Sequence, residues 1–113
     1  MKRLLVTIAA GIFAMGLSTT AFADAANDYK AKCSSCHGQD GKGQTKMGKK
    51  LNIKDLTAAA VQDALTDESI IKQITDGVKD EKTGKDRMPA LGKKLSAEQI
   101  KALVPIVRAF KGK

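Results

Sequence analysis

The chain has few of the residues that usually complete a small core or an acid–base site. Among its 113 residues it has no Trp, one Tyr, three Phe, one His, two Cys and two Pro. The single histidine excludes any site that needs two imidazoles from one chain, and two Cys plus one His are too few for a four-ligand structural zinc site. A core so poor in aromatic residues would gain from a large apolar cofactor, because a short chain buries only a limited share of its surface.

The first residues have the features of a cleaved export signal. A basic start at Lys2 and Arg3 precedes a mostly apolar run, and residues 21–23 (Ala-Phe-Ala) have the small-x-small form of a signal-peptidase site. The apolar run is shorter than the roughly 20 residues of a membrane-spanning helix, although an uncleaved anchor is the alternative. We therefore predict a cleaved signal peptide at 1–23, one mature domain at 24–113 and a periplasmic location.

Basic residues outnumber acidic residues by 20 to 12, which gives a net charge of +8. Removal of the signal would take away Lys2 and Arg3 but no acid, so 18 basic residues would face 12 acidic ones and the net charge would be +6. In a cytosolic protein this excess would suggest nucleic acid as a partner. Predicted export argues against nucleic acid and favours acidic proteins or anionic membrane surfaces.

The spacing of apolar residues predicts an all-α fold without a convincing strand. The expected helices cover 27–37, weakly 55–65, the segment from a Thr66 cap to a stop at Gly77, and the segment after Ser96. Segments 38–48 and 79–87 are rich in glycine and charge and are expected to be loops. The last helix is the clearest, because Ser96 and Gln99 have capping-box spacing and an apolar face follows.

Cys33, Cys36 and His37 form a C-x-x-C-H motif at positions i, i+3 and i+4. On a helix these positions share a face, so two thiols can bond to the two vinyl edges of one porphyrin while the imidazole reaches its iron. We therefore predict one haem c, attached through Cys33 and Cys36 and ligated by His37. A redox-active disulfide, a zinc site and a structural disulfide are the alternatives, and the first of these expects a βαβ pattern that is missing here.

The second ligand of the iron has few candidates. Lysine is abundant but protonated at neutral pH, and the proton blocks ligation. Met88 precedes Pro89 and lies far enough beyond His37 for the chain to pass round a haem. Met47 could also reach the iron, but its setting is a predicted surface loop. The pattern favours Met88, with Met47 or an open iron position as the alternatives.

Several motifs of the mature chain occur together in one known family. They are Tyr29, Cys33-Ser34-Ser35-Cys36-His37-Gly38, Asp40-Gly41-Lys42-Gly43, Leu51, Arg87-Met88-Pro89-Ala90 and Leu95-Ser96-Ala97-Glu98-Gln99-Ile100. With this set the chain resembles the small class I cytochromes c of bacteria over nearly all of its mature length. The resemblance implies three main helices around one haem, with the first and last crossing. It also implies His37 and Met88 as axial ligands and electron transfer as the activity.

Some positions depart from the family pattern. Gly48-Lys49 stands where many members have Gly-Pro, whose carbonyl orients the proximal histidine, so another carbonyl would have to serve His37. Ile106 stands where an aromatic residue is common. No Trp is present to bond a haem propionate, a role that Arg87 or a nearby lysine could take.

Taken together, these features predict a soluble one-electron carrier that is not an enzyme. Ligation by His and Met would favour the reduced iron and raise its potential. An apolar shell would exclude water, and its expected members are Tyr29, Leu51, Leu56 and Leu91. A gas-binding sensor or a peroxidase with a displaceable distal ligand is the alternative, but no second histidine is available for acid–base chemistry.

The predicted partners are redox proteins with acidic docking surfaces, with transient contact to a membrane complex allowed, and the protein itself is expected to be a monomer. A group of lysines follows the haem motif and is either a docking rim or a solvated loop. Its members are Lys42, Lys46, Lys49, Lys50 and Lys54.

Overall fold

The computed structural model describes residues 17–113, with side chains from residue 23 onward. Its elements are α1 (Leu17–Lys32), α2 (Ser34–His37), α3 (Lys46–Lys50), α4 (Ala59–Ala64), α5 (Asp67–Asp76), β1 (Val78–Lys79), β2 (Asp86–Met88) and α6 (Ala97–Arg108). The all-α prediction is confirmed, because helices build the body and the strands form only one small hairpin. The basic start and most of the apolar run of the predicted signal lie outside the described residues. Within residues 17–113 no helix is both long and apolar enough to cross a membrane.

Two helices begin where their caps predicted. The Thr66 hydroxyl accepts a hydrogen bond from the Ser69 amide at 3.0 Å, and the Ser69 hydroxyl bonds back to the Thr66 amide at 3.0 Å. Ser96 and Gln99 make the same reciprocal pair at the start of α6, at 2.8 and 3.1 Å. Each pair satisfies amides that the first helical turn leaves without carbonyl partners.

The first helix differs from its prediction. Its described part begins at Leu17 rather than near Asn27, and it runs through the predicted cleavage point. The physical reason is that no Pro or Gly interrupts residues 17–26, so nothing local stops the helix. Ala25 faces the core together with Tyr29 and Cys33, as spacing of four residues requires.

Two segments expected to be loops contain regular structure. Residues 46–50 form the short helix α3, capped by the Thr45 hydroxyl, which accepts a hydrogen bond from the Gly48 amide at 2.8 Å. Val78 pairs antiparallel with Met88, so 79–87 is the arm and tip of a hairpin. Backbone hydrogen bonds and the side chain of Asp80 close the turn of that hairpin. No periodic pattern of apolar residues predicts these contacts.

The core lies where α1 and α5 pack against α6. Its largest fully buried apolar side chains are Ile100 and Leu103 of α6. Ile106, one of the positions that departs from the family pattern, is also buried. Pro105 is on the exposed side of α6, so the Lys101 carbonyl that loses its helical donor can turn to water.

A buried polar connection joins α4 to α6. Gln62 is only 1 % exposed, and its side-chain amide donates to the carbonyls of Leu56 at 2.7 Å and Val107 at 2.9 Å. Arg108 donates to the Gln62 carbonyl and the Leu65 carbonyl, each at 2.7 Å. These bonds hold α4 and its Leu65 end against α6. No local pattern in the sequence predicts these bonds, because Gln62 and Arg108 are 46 residues apart.

Candidate functional site

A cavity of about 320 Å³ brings the four predicted site residues together: Cys33, Cys36, His37 and Met88 all line it. Most of its remaining wall is apolar, from Ile53, Leu56, Val61, Leu65, Val78, Pro89 and Leu91. A smaller cavity of about 60 Å³ reaches further into the core and is lined in part by Tyr29, Ile70, Ile74, Leu103 and Val107. Both cavities share Cys33, His37 and Met88, so they are neighbouring parts of one space.

The haem motif sits on a tight helical turn. The Cys33 carbonyl accepts hydrogen bonds from the amides of Cys36 at 3.3 Å and His37 at 3.0 Å. Gly38 ends the turn with φ 80° and ψ 156°, a backbone region that essentially only glycine adopts. The Tyr29 hydroxyl donates to the Gly38 carbonyl at 2.6 Å and fixes that ending from within the core. The two cysteines and the histidine are therefore presented together.

The segment after the motif is tied back to it. The Gly43 amide donates to the His37 carbonyl at 2.7 Å, and the Thr45 hydroxyl donates to the Cys36 carbonyl at 2.7 Å. Gly48 lies so close to this segment that a Cβ atom there would fall 2.2 Å from the Gly43 carbonyl oxygen and 2.6 Å from that of Cys36. Only glycine fits at position 48, which explains why the sequence has a glycine there.

The imidazole of His37 is less constrained than its backbone. Its Nδ1 atom is buried and has no hydrogen-bond partner among the described side chains and backbone. Hence no carbonyl replaces the one that Gly-Pro supplies in many family members. Burial lowers the pKa of His37, so the ring is neutral and keeps a lone pair. A buried polar atom without a hydrogen-bond partner raises the free energy of the folded state. A group that bonded to the ring at Nδ1 would remove this penalty.

The two cysteines are free thiols of different exposure. Cys33 is buried and Cys36 is partly exposed. Burial, followed by the nearby Asp28 and Cys36, raises the pKa of Cys33 to about 11. A redox-active C-x-x-C motif needs a thiol with a lowered pKa, because the thiolate is the attacking species. The environment of Cys33 therefore argues against disulfide exchange.

Met88 is held mainly from the side of α5. It pairs with Val78 across the hairpin. Further along the chain, the Leu91 amide donates to the Ile74 carbonyl at 2.9 Å and the Gly92 amide to the Thr75 carbonyl at 3.1 Å. The thioether therefore enters the cavity from a strand that long-range hydrogen bonds position.

Two other predicted residues lie elsewhere. Met47 is on α3, is 45 % exposed and lines neither cavity. Leu51 also lines neither cavity, and only its carbonyl takes part near the site, as an acceptor for Arg87. Tyr29, Leu56 and Leu91 do line the walls, as the predicted apolar shell required.

Sequence reasoning missed Gln73, which lines both cavities and brings a polar amide to a mostly apolar wall. Gln73 follows Ile70 by three residues on α5, and that helical spacing could have placed it on the buried face. Gln73 was not predicted because a search for the spacing of apolar residues does not consider polar residues on the same helix face.

The residues present fit a covalently bound haem. Two thiols and an imidazole share one turn, a thioether lines the same cavity, and the walls are mostly apolar. Nitrogen and sulfur donors of this kind are those that hold haem iron in cytochromes. In the described part of the chain, no three His, Cys, Asp or Glu side chains gather as a separate metal site would require.

Comparisons with known proteins agree with this fit. A family model described as cytochrome C oxidase, cbb3-type, subunit III matches residues 20–105. The chain is 36 % identical to cytochrome c6 of Gloeothece citriformis (strain PCC 7424), covering 99 % of both chains. It is 36 % identical to cytochrome c6 of Microcystis aeruginosa over 76 % of this chain and 93 % of that one. A solved structure, the KustC0563 c-type cytochrome, superposes with TM-score 0.70 and 38 % identity over 78 % of this chain and 98 % of that one.

Proposed function

The chain belongs to the cytochrome c family of haem-binding electron-transfer proteins, as a small monohaem class I member, and from that premise we propose that it is a soluble periplasmic one-electron carrier. The observation that carries the proposal is the convergence of Cys33, Cys36, His37 and Met88 on one mostly apolar cavity. In this proposal the two cysteines would bind one haem c covalently, and His37 and Met88 would hold its iron.

The haem, when bound, would supply the one-electron ferric–ferrous couple. The protein's own residues then have positioning roles. His37 is neutral because burial lowers its pKa, which keeps its lone pair free for a metal. Met88 would offer a thioether, a ligand that favours the reduced iron and raises the potential. Leu56, Leu65 and their apolar neighbours would exclude water from the cavity. No acid–base residue is needed, which fits a carrier and not an enzyme.

The decisive experiment compares Met88→Ala with Met47→Ala in the haem-loaded protein. Wild type should be low-spin in the ferric state, show the weak red absorption of thioether ligation, and bind cyanide slowly. Met88→Ala should lose the red absorption, bind cyanide quickly and have a lower reduction potential. Met47→Ala, which removes an exposed methionine outside the cavity, should behave as wild type.

Other outcomes of that experiment would change the proposal in distinct ways. If Met47→Ala and not Met88→Ala abolished the red absorption, the ligand assignment would be wrong while the carrier function survived. If wild type were high-spin and bound carbon monoxide rapidly, the carrier would give way to a sensor or a peroxidase.

The proposed partners are redox proteins with acidic docking surfaces. The lysines of the basic group after the motif are all exposed: Lys42, Lys46, Lys49, Lys50 and Lys54. Lys32 and Lys54 also line the larger cavity. Electron transfer with an acidic redox protein should slow steeply as salt rises. Replacing Lys46 and Lys49 by Gln should reduce that slope more than replacing the exposed pair Lys101 and Lys113, and equal effects would count against a defined docking rim.

Export is the remaining part of the proposal. If residues 1–23 are removed, the mature protein begins at Asp24. The intact mass of protein purified from a periplasmic extract should then equal residues 24–113 plus one haem. A mass that includes residues 1–23 would identify an anchored form instead.

A further inference from the structure

The strand that carries Met88 is anchored unequally on its two sides. Towards α5 it has the pairing with Val78 and the backbone bonds of Leu91 and Gly92. Towards the haem motif, the described hydrogen bonds of this strand all come from one side chain, Arg87. The guanidinium donates to the Leu51 carbonyl through Nε at 3.3 Å and Nη2 at 3.0 Å, and to the Asn52 carbonyl through Nη2 at 3.1 Å.

The far end of this connection is the end of α3, a helix that is itself tied to the motif. Leu51 is the C-cap of α3, and its carbonyl accepts the hydrogen bonds from Arg87 of the hairpin. The other end of α3 is fixed to the motif, because Thr45 caps the helix and also donates to the Cys36 carbonyl at 2.7 Å. Hydrogen bonds therefore run from Cys36 through Thr45 and α3 to Arg87, which is the residue before Met88.

The acceptor segment is shaped for this contact. Asn52 is the one non-glycine residue with a positive φ (52°) in the described chain, a conformation that asparagine tolerates better than most residues. Its carbonyl and that of Leu51 lie within hydrogen-bond distance of the same guanidinium nitrogen. The planar fork of arginine can serve two carbonyls together, which a lysine ammonium on a flexible stem does less well.

We propose that Arg87 is a positioning residue that straps the Met88 strand to the motif side of the cavity and thereby sets how often Met88 leaves the iron. The inference rests on the proposed function, because it assumes that Met88 is the second ligand. Arg87 is partly buried and lines the larger cavity beside Met88. Without its bonds, the strand would be fixed only from α5 and could swing outward on that side.

The test measures the rate at which cyanide binds to the ferric, haem-loaded protein, since cyanide must wait for Met88 to leave. Loss of hydrogen bonds from a charged donor should raise this rate about tenfold in Arg87→Gln. Arg87→Lys keeps the charge but not the fork and should also be fast. Lys85→Gln removes the same charge from an exposed position on the same hairpin and should match wild type.

The urea midpoint of each variant separates positioning from general destabilisation. In Arg87→Gln, the factor by which the rate of cyanide binding rises should exceed the factor by which the equilibrium constant for unfolding rises. A wild-type rate in Arg87→Lys would show that charge alone matters, for example towards a haem propionate, and would overturn the strap. An unchanged rate in Arg87→Gln would overturn it as well.

A measurement on the wild-type protein keeps the proposal testable if a variant does not load haem. The Arg87 Nε proton should exchange slowly with solvent and show scalar coupling to the Leu51 carbonyl carbon in NMR spectra. A rapidly exchanging proton without that coupling would contradict the strap. Met88→Ala serves as the reference throughout: if it does not accelerate cyanide binding, the ligand assignment in the proposed function has failed, whatever Arg87 does.

Discussion

The two walls of the cavity are built in opposite ways. The motif wall, with Cys33, Cys36 and His37, is one helical turn whose supports lie close by in the chain, from the Tyr29 hydroxyl to the Thr45 cap. The opposite wall carries Met88 on a short strand, held by residues of α5 and by a contact to Leu51 across 36 positions of sequence.

This difference teaches where each wall is vulnerable. A local turn can be damaged only by changing its own residues or their immediate supports. A strand fixed by distant contacts can be displaced by changes that touch neither the strand nor its ligand.

The largest effect should come from the motif wall. Replacing both Cys33 and Cys36 by Ala removes both proposed attachment atoms, so no haem should survive acid–acetone extraction and the intact mass should lack one haem. Ser35→Ala, between the two cysteines and exposed, should retain the haem completely. Non-extractable haem in the double variant would mean that attachment occurs elsewhere.

The Met88 wall should respond to a methyl group added eleven positions before Met88 in the chain. Gly77 has φ 75° and ψ −177°, and a Cβ atom there would lie 2.5 Å from the Met88 carbonyl oxygen. We expect Gly77→Ala to cost about 2–4 kcal/mol, from backbone strain and this clash, and to weaken the red thioether absorption.

Gly84 provides the matched control for Gly77. It also has a positive φ (67°) on the same hairpin, but nothing lies within 4 Å of its added Cβ. Gly84→Ala should therefore cost only about 1–2 kcal/mol of strain and leave the absorption intact. Equal effects of the two variants on the absorption would show that the position of Met88 depends as much on the hairpin tip as on its base. The close contact between Gly77 and the Met88 carbonyl would then have no special role.

A smaller effect is expected from the support beneath the motif wall. Tyr29 is 5 % exposed, its hydroxyl bonds the Gly38 carbonyl, and burial raises its pKa above the usual value. Tyr29→Phe keeps the ring but leaves a buried carbonyl unpaired, which should cost about 1–3 kcal/mol in urea unfolding. Ser34→Ala, which removes an exposed hydroxyl bonded to the Lys30 carbonyl, should cost less than about 0.5 kcal/mol. The reverse order would mean that the support does not come from the core.

The smallest effect is a pH dependence in the hairpin loop. The amides of Thr83 and Lys82 donate to the Asp80 carboxylate and lower its pKa. A lowered carboxyl pKa contributes stability above its ordinary value, and that contribution disappears as the pH falls through the lowered value. On acidification the Thr83 and Lys82 amide signals in NMR spectra should therefore shift together, while Asp80→Ala should show the acid pattern at neutral pH. If the two amide signals of Asp80→Ala at neutral pH matched those of the wild type, the Asp80 carboxylate would not be their acceptor.

Much of the fold was predictable because its signals are local. The caps at Thr66 and Ser96, the stop at Gly77 and the apolar face of α6 all depend on residues within a few positions of each other. The same local reach explains the failures. Residues 79–87 were expected to be a loop, but their pairing depends on Val78 meeting Met88, a contact that no short-range pattern contains.

The cysteines, the histidine and their common face were determined by the sequence alone, because helical periodicity fixes how residues three and four positions apart are arranged. Elimination among few candidates also favoured Met88, but it could not say what surrounds that residue. Only the tertiary structure decided that Met88 and His37 line one cavity, that Met47 is outside it, and that Arg87 joins the Met88 strand to the end of α3. The reason is physical: such contacts join segments far apart in the chain, and their geometry exists only after α1, α5 and α6 have packed.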